Sequence, residues 1–235
     1  MKKFIKWVGL LSIVLLVVSA CGNGGSSDSG SSNGDKLSIK VGSKNFTESL
    51  ILGEMYALAL ENAGYDVERK LNLGGTMVAH EGLKSGEIDM YPEYTGTGLI
   101  NILEEEPRFD AQEVYDLVKE GYKEQFDLVW LEPTDANNSQ GLVASKKAAE
   151  EYDLYTISRL QEVAKDSRMA AVPEFTERED GLIGLEKHYG EMDFKSLELF
   201  DHGIKYNVLK NDEADVTVGF TTDGDLISEE LVLLE

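Results

Sequence analysis

Three loops carry the residue types needed to hold a small charged solute. Gly42-Ser43-Lys44-Asn45 and Gly74-Gly75-Thr76 each combine glycine, a hydroxyl and free backbone N–H groups. Placed after a strand and before a helix, such loops aim amide hydrogens at an anion. With Lys44 they suit a carboxylate, and ordinary helix capping is the competing account. The third loop, Tyr91-Pro92-Glu93-Tyr94-Thr95-Gly96-Thr97-Gly98, sets aromatics and an acid beside a turn. Phe220-Thr221-Thr222-Asp223 offers a counterpart later in the chain. Rings facing each other across a cleft attract a cation by roughly 0.5–2 kcal/mol each. A quaternary ammonium suits rings best, because it cannot hydrogen-bond. The competing account makes these rings core or turn residues.

The elements around these loops alternate in type. Leu37 to Val41 reads as a buried strand, and Thr47 as the N-cap of a helix carrying Leu50, Ile51, Met55 and Leu58, with Gly64 as its stop. Residues 65–73 read as a strand, 76–85 as a short helix, 88–91 as a strand, 110–125 as a helix and 128–131 as a strand. This alternation predicts an α/β protein with mainly parallel sheets.

The second half echoes the first. Phe46-Thr47-Glu48 recurs as Phe175-Thr176-Glu177, and Leu83-Lys84-Ser85-Gly86-Glu87-Ile88-Asp89 as Leu209-Lys210-Asn211-Asp212-Glu213-Ala214-Asp215. Leu128-Val129-Trp130-Leu131-Glu132 recurs as Leu231 to Glu235. Echoes in the same order predict two lobes of similar build, spanning residues 36–135 and 136–235. The second LVxLE run sits at the last residue. The crossing back to lobe one is therefore expected to be missing, and the chain reads as C-terminally truncated.

The first 35 residues read as an address. Lys2, Lys3 and Lys6 precede an apolar run of about 11 residues, shorter than the ~20 a spanning helix needs. Val18-Ser19-Ala20 then leads to Cys21, the only cysteine. The run resembles a bacterial lipobox, which implies a signal peptide over 1–20 and lipidation at Cys21. Residues 22–34 hold only Gly, Ser, Asn and Asp and read as a flexible tether. Their Gly30-Ser31-Ser32-Asn33-Gly34 matches a nucleophile elbow only in letters, since no strand or helix flanks it.

Composition excludes several classes. The net charge is −22, from 22 basic and 44 acidic side chains, against the basic face a nucleic-acid binder needs. One cysteine rules out an intrachain disulfide. His80, His188 and His202 are too scattered for a histidine metal site, and no P-loop or GxGxxG points to a cofactor.

Taken together, Val41 to Glu48, Leu73 to Thr76, Ile88 to Tyr91 with Tyr94 to Thr97, Glu174-Phe175 with Arg178 to Gly181, and Thr221 to Gly224 resemble the substrate-binding lipoproteins of osmoprotectant ABC transporters, the glycine betaine/carnitine/choline-binding proteins. The resemblance covers about 37–235. It implies a two-lobed type II periplasmic-binding-protein fold, non-enzymatic solute capture outside a bacterial cell membrane, and delivery to a membrane permease with an ATPase. It implies cage positions at Tyr94, Tyr206 and Phe220, a carboxylate side at Lys44 and Thr76, and less defined roles for Phe175 and Arg178. Arg178 has the alternative of pairing with Glu174 or a neighbouring acid. Gln140 stands where relatives often place a cage tyrosine, so the cage is thinner and the ligand is open, with ergothioneine-type betaines included. A sensor lipoprotein on the same fold and an enzyme using Glu93 or Asp223 as general base are the competing functions.

Overall fold

The computed structural model describes residues 37–235. The signal segment, Cys21 and the tether lie outside the described residues. β1 (Ser38–Gly42) leads to α1 (Thr47–Asn62), β2 (Asp66–Lys70) and α2 (Thr76–Lys84). β1 and β2 pair in parallel, Ser38 opposite Asp66 through Gly42 opposite Lys70. Phe46, not Thr47, occupies the N-cap position of α1, with no side-chain cap bond, and Thr47 is the first helical residue. The helix stops at Gly64, which takes a left-handed φ of 99°.

Residues 88–91 do not form a strand. Met90 makes a single parallel bridge to Val41, and the Gly42 N–H donates to the Met90 carbonyl at 2.8 Å. The chain then turns through α3 (Thr95–Thr97) and a π-helical stretch over Gly98–Ile102 into α4 (Ala111–Phe126). Asp110 caps α4 by accepting from the Glu113 N–H at 2.8 Å. Val114, Val118 and Tyr122 form its buried stripe against Leu99. The expected strand at 128–131 is also absent. Leu128 and Trp130 pack toward α4 while Val129 and Leu131 are exposed, so the alternation is real, but no strand lies beside it among the described residues.

The second half forms β3 (Gln140–Ser145), α5 (Lys146–Tyr152), α6 (Ile157–Val163), β4 (Arg168–Ala171), α7 (Pro173–Glu177), α8 (Leu182–Tyr189), β5 (Ser196–Leu199), α9 (Lys205–Lys210), β6 (Val216–Phe220) and β7 (Leu231–Leu233). These strands make one sheet in the order β5-β4-β6-β3-β7. β4 runs parallel to β5 and β6, whereas β3 runs antiparallel to β6 and β7. This sheet is mixed, with β3 as the antiparallel element, while parallel pairings outnumber antiparallel ones over both sheets. Alternate residues of β3 serve opposite faces. Leu142 and Ala144 join Leu160, Met169 and Phe175 in the main core. Val143 joins Tyr206, Leu209 and Leu231 on the other face. Among the described residues no helix is long and apolar enough to cross a membrane.

Candidate functional site

The ends of β1 and β6 and the loops before α3 and α9 bring four rings together. Phe46 lies 5.7 Å from Tyr94, 5.6 Å from His202 and 5.4 Å from Phe220, centroid to centroid. His202 stacks on Phe220 at 5.8 Å and 24°. Beside them opens a cavity of about 170 Å³, its wall including Phe46, His202, Lys205, Tyr206 and Asp223. Tyr94 and Phe220 belong to the ring cluster but not to that wall.

Tyr206 and Phe220 are linked through Lys205. Its Nζ sits 4.9 Å from the Tyr206 centroid and 4.4 Å from that of Phe220. The ring faces expected to receive a solute cation thus already face an internal ammonium. One oxygen of Asp223, Oδ2, accepts from Lys205 Nζ at 2.8 Å, Tyr206 Oη at 2.6 Å and the Phe220 N–H at 3.1 Å. Burial pushes the Lys205 ammonium down while Asp223 pulls it back. Burial and the Asp223 bond both hold the Tyr206 phenol above its ordinary range. Gly219 makes the Tyr206 position possible: a Cβ there would meet the Tyr206 hydroxyl and a Val143 methyl at 2.6 Å each.

Lys44 is also buried and paired. Its Nζ donates to Glu93 Oε1 at 2.5 Å and to Thr76 Oγ1 at 3.2 Å, and lies 5.1 Å from the Tyr94 centroid. Glu93 further accepts from the Tyr94 N–H and the Tyr91 hydroxyl, both at 2.8 Å. Lys44 and Thr76 do come together, as the sequence leads one to expect, but the Lys44 charge already has a carboxylate. Tyr94 donates its hydroxyl to Glu48 at 2.7 Å, and Asn138 Nδ2 reaches the same oxygen at 2.9 Å. Burial, then Glu48, raises the Tyr94 phenol above its ordinary range. Glu93 and Asp223, the two acids considered as general bases, are both held as hydrogen-bond acceptors.

The N-terminus of α2 holds a carboxylate from the second half. The Thr76 N–H donates to Glu174 Oε1 at 2.6 Å, and a Cβ on Gly75 would meet that oxygen at 1.9 Å. The loop is thus an anion site by geometry, with Glu174 in it. Arg178 pairs with Asp180 through two bonds of 2.7 and 2.6 Å and touches Thr97 Oγ1 at 3.3 Å, so it takes the neighbouring acid. Gln140 Nε2 donates to the Asp180 carbonyl at 3.0 Å, away from the ring cluster's contacts. Phe175 requires correction as a ligand-facing residue: it is 2 % exposed and packed in the sheet core, where its apolar ring is spent on folding.

Phe46, His202, Lys205 and Glu48 were not singled out for the cluster from sequence. Phe46 lies inside the Val41 to Glu48 motif, and Lys205 beside Tyr206, so both carry a signal in the sequence. His202 had none beyond its scarcity. Burial first, then the Lys205 charge, pushes its imidazole down to about 4. His80, fully buried and with neither ring nitrogen partnered among the described residues, is also lowered, chiefly by burial. A folded-state pKa below the unfolded value near 6.5 means that the unfolded chain takes up protons first as pH falls. The His202 contribution is therefore lost between about pH 6.5 and 4. Urea midpoints are expected to show about 2–3 kcal/mol less stability from this group at pH 4.5 than at pH 7. His202→Phe should lose that part of the slope, and an unchanged slope in the variant would count against it.

The family model for the substrate binding domain of ABC-type glycine betaine transport system matches residues 38–235. The chain is 32 % identical over 245 residues to the carnitine transport binding protein OpuCC of Listeria monocytogenes, covering 100 % of this chain and 76 % of that one. It is 33 % identical over 199 residues to the ergothioneine transport permease/ergothioneine binding protein EgtU of Helicobacter pylori, covering 84 % of this chain and 35 % of that one. A crystal structure of a glycine betaine/carnitine/choline ABC transporter protein matches with a TM-score of 0.60 and 27 % identity, over 84 % of this chain and 74 % of that one. The fold is the type II periplasmic-binding-protein fold, and the chain belongs to the family of substrate binding domains of ABC-type glycine betaine transport systems.

Proposed function

We propose that this protein is the extracytoplasmic solute receptor of an ABC importer and binds a small quaternary-ammonium osmoprotectant: glycine betaine, carnitine, choline or a related betaine. The observation that carries the reading is the meeting of Phe46 and Tyr94 from the first half with His202 and Phe220 from the second. Residues 36–135 and 136–235 act as two lobes that part to admit the solute and close on it. Closure is stabilised by whatever the ligand gains only in that shape. The rings are in mutual contact, so an ammonium head enters by separating them, and its methyls replace ring–ring contact with cation–ring contact. Around the cluster stand Glu48, Glu93, Glu174, Asp180 and Asp223 against Lys44, Arg178 and Lys205, an excess of negative charge that favours a cationic solute. The closed form is presented to a permease with its ATPase, and lipidation at Cys21 tethers the receptor to the outer side of the cell membrane.

A second reading, an ergothioneine-type betaine, is favoured by the Helicobacter relative and by Gln140 in place of a cage tyrosine. Titration calorimetry against glycine betaine, carnitine, choline and ergothioneine separates the two. Absence of heat with all four would sink both. Tyr94→Ala is expected to weaken binding by roughly 1–3 kcal/mol, adding lost apolar contact to lost cation–ring attraction. An unchanged dissociation constant in that variant would remove Tyr94 from the site.

A further inference from the structure

His202 has features that a packing residue does not need. It touches two rings of the cluster, Phe46 at 5.6 Å and Phe220 at 5.8 Å, and forms part of the cavity wall. Its Nδ1 is buried and has no hydrogen-bond partner among the described residues. A buried nitrogen left unpaired costs stability, so a ring that serves only as a wall would be better as phenylalanine. We propose that His202 determines specificity in the cleft, its ring forming a wall against the ammonium head and its Nδ1 sharing a hydrogen bond with a hydroxyl that the solute carries beside that head. The inference rests on the solute-receptor reading above and narrows it to hydroxylated quaternary ammonium solutes.

The choice of a hydroxyl follows from the chemistry of the ring. A neutral imidazole holds one proton, so Nδ1 is a donor in one tautomer and an acceptor in the other. A hydroxyl matches both, whereas a carboxylate matches only the donor. The ring stays uncharged at neutral pH because burial and Lys205 disfavour a second cation there, and an uncharged face can lie against an ammonium. The anion-binding α2 terminus is meanwhile engaged by Glu174, so a solute gains more here from a hydroxyl than from a second carboxylate in the same place.

The test is calorimetric titration of the full chain with choline and with propyltrimethylammonium, which replaces the hydroxyl by a methyl. The wild type is expected to prefer choline by about fivefold to tenfold, the yield of one hydrogen bond. His202→Phe should keep propyltrimethylammonium affinity within about twofold and lose the preference. His202→Ala should weaken both solutes by about fivefold or more, with the melting temperature of each variant confirming that it folds. A choline preference that survives in His202→Phe overturns the hydrogen bond, and unchanged affinities in His202→Ala overturn the wall. A wild type that binds neither solute, nor any betaine, overturns the receptor reading and this one with it. That failure appears in the wild type, not in the variants.

Discussion

Asp223→Ala is expected to lower the unfolding free energy by about 3–5 kcal/mol and to abolish measurable solute binding. Three donors converge on its Oδ2: the Lys205 ammonium, the Tyr206 hydroxyl and the Phe220 amide. Lys205 is 3 % exposed. Without Asp223 its buried charge keeps the Tyr206 and Phe220 ring faces and the more distant Asp225, and cation–ring attraction of about 2 kcal/mol does not offset desolvation. The Tyr206 and Phe220 positions loosen together, because the same carboxylate orients both. The check is urea unfolding of Asp223→Ala, Lys205→Met and the double variant. Removing both charges should recover most of the loss, since the large cost belongs to the unpaired cation. A single Asp223→Ala variant within 1 kcal/mol of wild type, an amount on the order of one ordinary hydrogen bond, would show that Lys205 does not carry a buried charge.

Glu93→Ala should be comparably severe, also about 3–5 kcal/mol, by the same logic on the other side of the cleft. Lys44 is 3 % exposed, and among the described residues Glu93 supplies its one carboxylate contact. The substitution also leaves the Tyr94 amide and the Tyr91 hydroxyl without acceptors. Glu93→Gln separates the contributions. The amide oxygen keeps one of the neutral donors, so the remaining loss reports the unpaired Lys44. If Lys44 also serves a solute carboxylate, Glu93→Gln should bind glycine betaine more tightly relative to choline, because the competing internal carboxylate has gone. Chemical unfolding together with calorimetry of both solutes reads both effects. A Glu93→Gln variant with wild-type stability and an unchanged solute ratio would leave Lys44 with neither role.

These two ion pairs change the meaning of the sequence motifs around them. Lys44 and Tyr206 are each expected from their motifs as ligand contacts, whereas their internal partners are not written in those motifs. Glu93 is five positions from Gly98 in a loop whose aromatics drew attention first, and Asp223 follows a threonine pair that reads as a turn. Pairing of Lys44 with Glu93 requires the residue after β1 to meet the loop after the Met90 bridge. Nothing in the spacing of either segment states that meeting. The same holds for Glu174 at the α2 terminus, which joins residues 98 apart in the chain.

What the chain alone determined was everything set by short-range physics. The segment pattern located α1, α2 and α4 to within a residue or two: α4 buries its apolar stripe and carries its Asp110 cap, whereas in α1 Gly64 marks the stop but Ile51, Met55 and Leu58 lie exposed. The motifs also led to the family and to a cluster around Tyr94 and Phe220. Tertiary structure decided the rest. Residues 88–91 and 128–131 have the right alternation for strands, but a strand exists only where a neighbour accepts its backbone bonds, and that neighbour is not written in the segment itself. Phe175 and Phe220 are chemically alike, yet Phe175, on α7, packs into the sheet core while Phe220, at the end of β6, joins the ring cluster, because what each ring packs against is set by the tertiary placement of its element. Phe46, His202 and Lys205 joined the ring cluster for the same reason: proximity across the fold gives a residue neighbours that its type leaves open.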